Sequence, residues 1–260
     1  MDFKYLLVAK VRVRYVDTRI GEPVLLIHGL GGSIESWTNN IAELGKRFRL
    51  IAIDLPGFGF SDKPKMNYTI RYYNNFVVKF IKKLRLEKVS IVGSSLGGQI
   101  AAEVAINHPS VLKRLVLISP AGALPRSFKG SPALWNYTNV TNARSIQQVK
   151  QALSALDNQP VEDSYAKLVY RMFQIPGAKE AFFSALTGSA RAVRLNNRLN
   201  KVKAPTLLLW GKEDRMIPVK FADPFIGMKN CRIILLENCG HRPHFERPEL
   251  FNVIVSDFLT

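Results

Sequence analysis

What constrains this chain most is a rhythm: short, almost unbroken apolar runs alternate with amphipathic segments. The runs are Val24–Ile27, Leu50–Asp54, Val89–Val92, Leu115–Ile118, Thr206–Trp210 and Arg232–Leu236, each rich in Val, Ile or Leu and each leading into a Gly or Pro turn. Strands buried on both faces of a parallel sheet read as continuous apolar runs, whereas strands with one wet face alternate. The intervening segments Ile34–Leu44, Ile70–Leu84, Leu96–Asn107 and Glu249–Leu259 carry helical periodicity. Strand and helix in alternation predict a doubly wound, mostly parallel α/β sheet. The N-terminal MDFKYLLVAKVRVRY mixes charges into its apolar run and reads as an edge strand or hairpin.

One interval breaks the rhythm. From Gly122 to Lys201 no strand pattern occurs. Instead Ile146, Val149, Leu153 and Leu156 share one helical face, and Val161, Tyr165, Leu168, Val169 and Met172 share another. The expected organisation is therefore an α/β core over residues 1–121 and 202–260, with an all-helical insertion over 122–201 between two strands. The insertion's aromatics (Phe128, Trp135, Tyr137, Tyr165, Tyr170, Phe173, Phe182 and Phe183) are expected to form its core, with a few lining an apolar pocket.

Composition excludes several classes. A chain of 260 residues with 47% hydrophobic content and ordinary Gly and Pro is neither disordered nor fibrous. The longest uncharged, apolar-leaning stretch, Val89–Ala102, falls short of the about 20 residues a membrane span needs. The N-terminus lacks a small-residue cleavage site, so the cytoplasm is the expected location. Cys231 and Cys239 flank an extended run and are expected about 26 Å apart, too far to bridge, as free thiols. Lys and Arg number 37 against 20 Asp and Glu, a net charge of +17. The basic residues are spread along the chain, and the densest runs, Lys79–Arg85 and Arg191-Ala-Val-Arg194, interleave with apolar residues as solvated helix faces do. Neither a nucleic-acid nor a membrane partner is expected. A homo-oligomer is compatible with the pattern and is not specified by it.

The sharpest local signal is Gly93-Ser94-Ser95-Leu96-Gly97, directly after one strand and opening a helix. Gly-x-Ser-x-Gly between strand and helix is the signature of a nucleophile elbow, whose turn is too tight for large neighbours. Ser95, not Ser94, has Gly at both −2 and +2. A serine needs a base to act as nucleophile. Of the four histidines, His241 lies just past the carboxyl end of the strand Arg232–Leu236, where open α/β sheets place their sites. Asp214 follows Thr206–Trp210 and is the candidate orienting carboxylate, with its neighbour Glu213 as the alternative. Asp54 is expected to fix the Pro56-Gly57 turn, His28 to be structural, His108 to end a surface helix, and His244 to be a packed or exposed loop residue.

With Ser95, Asp214 and His241 in that order, the chain resembles the serine-hydrolase branch of the α/β-hydrolase fold superfamily, from about Arg12 to Leu259. His28-Gly-Leu-Gly-Gly32 and Asp54-Leu-Pro-Gly-Phe-Gly-Phe-Ser61 carry the resemblance beside the elbow. It implies a catalytic Ser95–His241–Asp214 set and an oxyanion hole from the backbone N–H groups of Leu30 and Leu96. It also implies a substrate-contacting wall that includes Gly29 and Ser94, and a cap formed by the insertion. No metal or organic cofactor is implied. The leading expectation is hydrolysis of carboxylic esters of small to medium acyl chain, with a small-molecule ester as substrate. The enzyme alternative is a carbon–carbon bond hydrolase of ring-cleavage dienoates, suggested by Ser119-Pro-Ala-Gly122 and by a cap arginine, Arg171, placed to bind a carboxylate. Ser94 and Arg242 depart from that group, which has Asn and an aromatic there. Perhydrolysis is a further alternative, and a ligand-binding receptor on the same fold is the non-enzyme one. Haloalkane dehalogenases and epoxide hydrolases would have Asp at the elbow.

Overall fold

The computed structural model describes residues 1–125 and 129–260, so Phe128 lies outside the described residues. Eight strands form one sheet: β1 (Lys4–Val8), β2 (Val11–Asp17), β3 (Pro23–Ile27), β4 (Arg49–Ile53), β5 (Val89–Ser94), β6 (Leu112–Ile118), β7 (Thr206–Gly211) and β8 (Cys231–Leu236). Their order is β1-β2-β4-β3-β5-β6-β7-β8. β2 runs antiparallel to β1 and β4, and every other pair is parallel. The six apolar runs are the six parallel strands, and the N-terminal segment is the expected hairpin, turning through Ala9 and Lys10 at positive φ.

The continuous apolar character of the strands follows from two cores. Val24, Leu26, Leu50, Ala52, Val116, Ile118, Leu207 and Leu209 pack on one face with Ile41 of α1 (Thr38–Leu44) and with Phe251 and Val255 of α10 (Pro248–Leu259). Their strand neighbours Leu25, Ile27, Ile51, Ile53, Leu115, Leu117 and Leu208 face the other way. There they meet α2 (Ile70–Lys83) and α3 (Leu96–Asn107). Side chains alternate across a strand, so a sheet covered twice needs an apolar residue at every position. Each such side chain, fully buried, contributes about 1.5–3 kcal/mol.

Between β6 and β7 come α4 (Pro132–Thr138), α5 (Ile146–Leu153), α6 (Asp163–Phe173) and α7 (Ala178–Arg191), with no strand among the described residues. α5 and α6 are the two faces visible in the sequence. α7 is faint in the sequence because its buried side is mostly alanine (Ala178, Ala181 and Ala185, beside Phe182), which weakens the apolar periodicity. Two short helices, α8 (Asp223–Ile226) and α9 (Pro243–Glu246), complete the chain. Cys231 and Cys239 are free thiols, and burial pushes them up to about 11 and about 12. Among the described residues no helix is long and apolar enough to cross a membrane.

Candidate active site

β5 runs into Ser95 and leaves as α3 with almost no connecting chain. Ser95 sits at φ 54°, ψ −114°, a region that costs an L-residue about 1–3 kcal/mol and persists only where the surroundings enforce it. They do. Ser95 N–H donates to Ile118 C=O at 2.8 Å, and its own C=O accepts from Gln99 N–H and Ala121 N–H, both at 3.0 Å. Only glycine fits beside it. A Cβ on Gly93 would come within 2.4 Å of Gly97 O, and one on Gly97 within 2.2 Å of Ile27 O.

The carboxyl ends of β7 and β8 bring Asp214 and His241 together. Asp214 Oδ1 accepts from the N–H groups of Met216 and Ile217, both at 2.9 Å, leaving Oδ2 for His241 Nδ1 at 2.7 Å. Both residues are buried. A carboxylate only accepts, so His241 carries its proton on Nδ1 and, when neutral, presents Nε2 as an acceptor. Ser95 and His241 line the same small cavity. Glu213 points to solvent and accepts from Cys239 N–H at 2.9 Å, which holds its carboxyl below the usual range; it pins the loop that precedes His241.

His28 works beneath the neighbouring loop. Its Nε2 accepts from Leu55 N–H at 3.0 Å, so the proton sits on Nδ1, which donates to Gly29 C=O at 2.7 Å. Burial lowers its pKa, and the neutral tautomer is held. Gly29 C=O also accepts from Gly32 N–H at 3.1 Å. In a trans peptide the C=O and the following N–H point oppositely. Fixing Gly29 C=O inward therefore turns Leu30 N–H away from that anchor. Leu96 N–H is the first of α3 and has no intrahelical acceptor. Leu30 and Ser95 line both cavities described below, and Gly29 and Ser94 line the smaller one. Asp54 accepts from Ile34 N–H, Phe60 N–H and Arg14, tying this loop to the Pro56-Gly57 turn.

Ser95 stands where two cavities meet. One, the polar cavity, is about 40 Å³ and holds the site's polar groups, Ser94, Tyr165, His241, Arg242 and His244, although most of its wall is apolar, from Leu153, Leu156 and Val169 among others. The other, about 470 Å³, is lined mainly by apolar groups, including Leu124, Leu134, Phe183, Leu186 and Ile217. Arg171, expected at a substrate carboxylate, is exposed on α6 and lines neither. It stands two residues from the buried Val169, about 200° around the helix, and so faces solvent. The arginine in the site is Arg242. Its Nε donates to Asp157 Oδ1 at 2.8 Å, its Nη2 to Asp157 Oδ2, and its Nη1 to Tyr165 Oη at 2.9 Å. Burial alone would lower its pKa, but the adjoining Asp157 raises it, so the guanidinium stays charged. Asp157 lies 85 residues away in sequence, and no local pattern announces the pair. His244 is packed rather than exposed, its ring stacked on Trp37 at 4.1 Å between centroids, and burial lowers its pKa well below the ordinary value. Among the described residues no group of His, Cys, Asp and Glu is arranged to hold a metal ion.

A family model described as the alpha/beta hydrolase fold matches residues 22–248. The chain belongs to that family. This hydrolase is 30% identical to 2-hydroxy-6-oxo-2,4-heptadienoate hydrolase of Pseudomonas putida, an alignment covering 94% of this chain and 91% of the relative. It is 26% identical to monoacylglycerol lipase abhd6-B of Xenopus laevis over 95% of this chain and 79% of the relative. Among solved structures it resembles a meta-cleavage product hydrolase from Pseudomonas fluorescens IP01, with a TM-score of 0.87 at 27% identity over 98% of this chain and 97% of the other. These comparisons bear out the α/β-hydrolase fold and the serine-hydrolase resemblance. They divide over the bond cleaved.

Proposed function

We propose that this α/β-hydrolase cleaves carboxylic esters through an acyl-enzyme on Ser95. The acyl chain would occupy the apolar cavity, and a neutral, polar alcohol portion the small cavity. The observation that carries this reading is the state of Arg242, the one cation among the polar cavity's lining residues, which is already bound through two hydrogen bonds to Asp157. Burying a further carboxylate there would leave one negative charge uncompensated, which is costly. A neutral hydroxyl-bearing group meets no such penalty. Tyr165, whose oxygen accepts from Arg242, keeps its own O–H to donate.

In this mechanism His241 Nε2 takes the Ser95 proton as Oγ attacks the ester carbonyl. Asp214 holds the Nδ1–H tautomer and stabilises the imidazolium. The N–H groups of Leu30 and Leu96 receive the oxyanion, at about 3–4 kcal/mol for each donor. The imidazolium returns the proton to the leaving alkoxide, and a water deprotonated by His241 then releases the acid. Gly29 and Ser94 form part of the wall beside the reacting carbonyl, and residues 122–201 serve as the cap.

A second reading, hydrolysis of the carbon–carbon bond of a ring-cleavage dienoate, is favoured by the Pseudomonas putida relative and by Arg242 itself. Of five guanidinium N–H donors, three are used, leaving two for a carboxylate. The deciding experiment measures kcat/KM for p-nitrophenyl esters from acetate to decanoate beside a 2-hydroxy-6-oxo-dienoate, with wild type and Ser95→Ala. The ester reading predicts serine-dependent turnover favouring the esters. Efficient dienoate cleavage with negligible ester turnover would replace it by the second reading.

A further inference from the structure

The apolar cavity has a mouth whose chemistry ester cleavage does not use. Lys129, Arg191 and Arg194 line it, Lys129 and Arg191 exposed and Arg194 half-buried, and no acidic side chain lines it with them. None forms an ion pair among the described residues, whereas nearby Arg198 is held by Glu103. Large apolar groups gather at the same place. Trp135 is 53% exposed and Phe183 36%, both lining the cavity, and Val193, between the two arginines in sequence, is 70% exposed. Single exposed apolar residues are ordinary, but a cluster rimmed by unpaired cations at the entrance to an apolar cavity marks an interaction surface. In sequence Arg191-Ala-Val-Arg194 reads as one solvated helix face among several, and no membrane partner is expected. In the fold, Lys129 and Trp135 meet that run across the cavity.

We infer that this rim docks on the surface of an anionic lipid bilayer. The three cations lie at the lipid phosphates, and Trp135, Phe183 and Val193 enter the headgroup region. Charge complementarity selects this occupant: the chain carries +17, and each Lys or Arg at an anionic leaflet strengthens binding about fivefold. Interfacial docking of this kind needs no spanning helix. Docked this way, the cavity leading to Ser95 opens toward acyl chains, so the purpose of the surface rests on the ester reading, while the docking itself does not.

The molecule carries its own probe. Of its three tryptophans, Trp37 and Trp210 are fully buried, and Trp135 alone is exposed. Titration with phosphatidylcholine–phosphatidylglycerol vesicles should shift Trp135 emission to the blue and sediment the protein, whereas pure phosphatidylcholine should do neither. The triple variant Lys129→Gln/Arg191→Gln/Arg194→Gln should bind about 100-fold more weakly. Arg191→Gln alone, at an exposed position, should lose about fivefold and carries the same test if the triple variant does not fold. Trp135→Phe should abolish the blue shift while the protein still sediments. Wild type that ignores anionic vesicles at low salt overturns the inference. So does undiminished binding by the triple variant, or sedimentation without a change in Trp135 emission. Docking without turnover of soluble esters would refute the ester reading and leave the surface standing; turnover without docking would do the reverse.

Discussion

The two cavities that meet at Ser95 have differently built walls. The polar side is stitched to the segment after α5 by directional bonds. Arg242 grips Asp157 and Tyr165, His241 N–H donates to Leu156 C=O at 2.9 Å, and Asn158 N–H donates to Glu246 at 2.8 Å. Arg215 adds bonds to the carbonyls of Ser154 and Asp157. The apolar side carries directional bonds at its edges, from Ser131 to Met216 C=O, from Tyr137 to Leu30 C=O and from Leu195 N–H to Gly122 C=O, while its wall is mostly side chains without polar atoms such as Leu134, Leu186 and Ile217. Hydrogen bonds and ion pairs demand one geometry, whereas apolar packing tolerates changes of shape at small cost. On the ester reading, the reacting geometry therefore belongs to the polar side, and the choice of acyl chain to the apolar side.

The deepest break in that comparison removes the point where the two sides meet. Ser95→Ala should lower ester kcat/KM by about 10⁶-fold with the circular dichroism spectrum unchanged. Asp214→Asn should cost about 10⁴-fold in kcat, because an amide no longer enforces the Nδ1–H tautomer of His241; steady-state kinetics on one ester measures both.

Attacks on the two walls should then diverge. Asp157→Ala leaves Arg242 buried and unpaired and should cost about 3–5 kcal/mol in urea unfolding, with Asp157→Leu/Arg242→Met recovering most of the loss. Leu186→Trp adds bulk to open space on the apolar side and should shift stability by less than about 1.5 kcal/mol. Its effect should appear in selectivity instead. At about fourfold per excluded methylene, decanoate should lose about 60-fold in kcat/KM while acetate barely changes.

The smallest effect concerns pH. His28 and His244 are both buried with folded pKa values below the ordinary 6.5. As pH falls through 6.5 the unfolded chain binds their protons first, so stability is full above that value and declines below it, by at most about 1.4 kcal/mol per pH unit for each histidine. His244→Phe, which keeps the ring on Trp37, should remove about 1 kcal/mol of the loss between pH 6.5 and 5.5. An unaltered slope would mean that His244 does not contribute.

The features legible in sequence were those written locally. The elbow compresses its requirements into Gly93, Ser95 and Gly97, because a tight turn constrains adjacent residues. Asp214 and His241 could be read because each follows an apolar run, and strand ends converge on one edge of a parallel sheet. The walls of the site were not local. Arg242 reads as a departure from a family pattern until Asp157 is brought to it, and a sequence cannot show that Arg171 lies on the solvent side of α6. The basic rim was invisible for the same reason: Lys129 and Arg194 are unremarkable apart and meaningful together.

The measurement that tests the account most directly is the site and rate of labelling by alkyl fluorophosphonates of increasing chain length. The account predicts a single adduct on Ser95, formed about fourfold faster with each added methylene until the apolar cavity is filled. An adduct on another serine, or a rate indifferent to chain length, would contradict it.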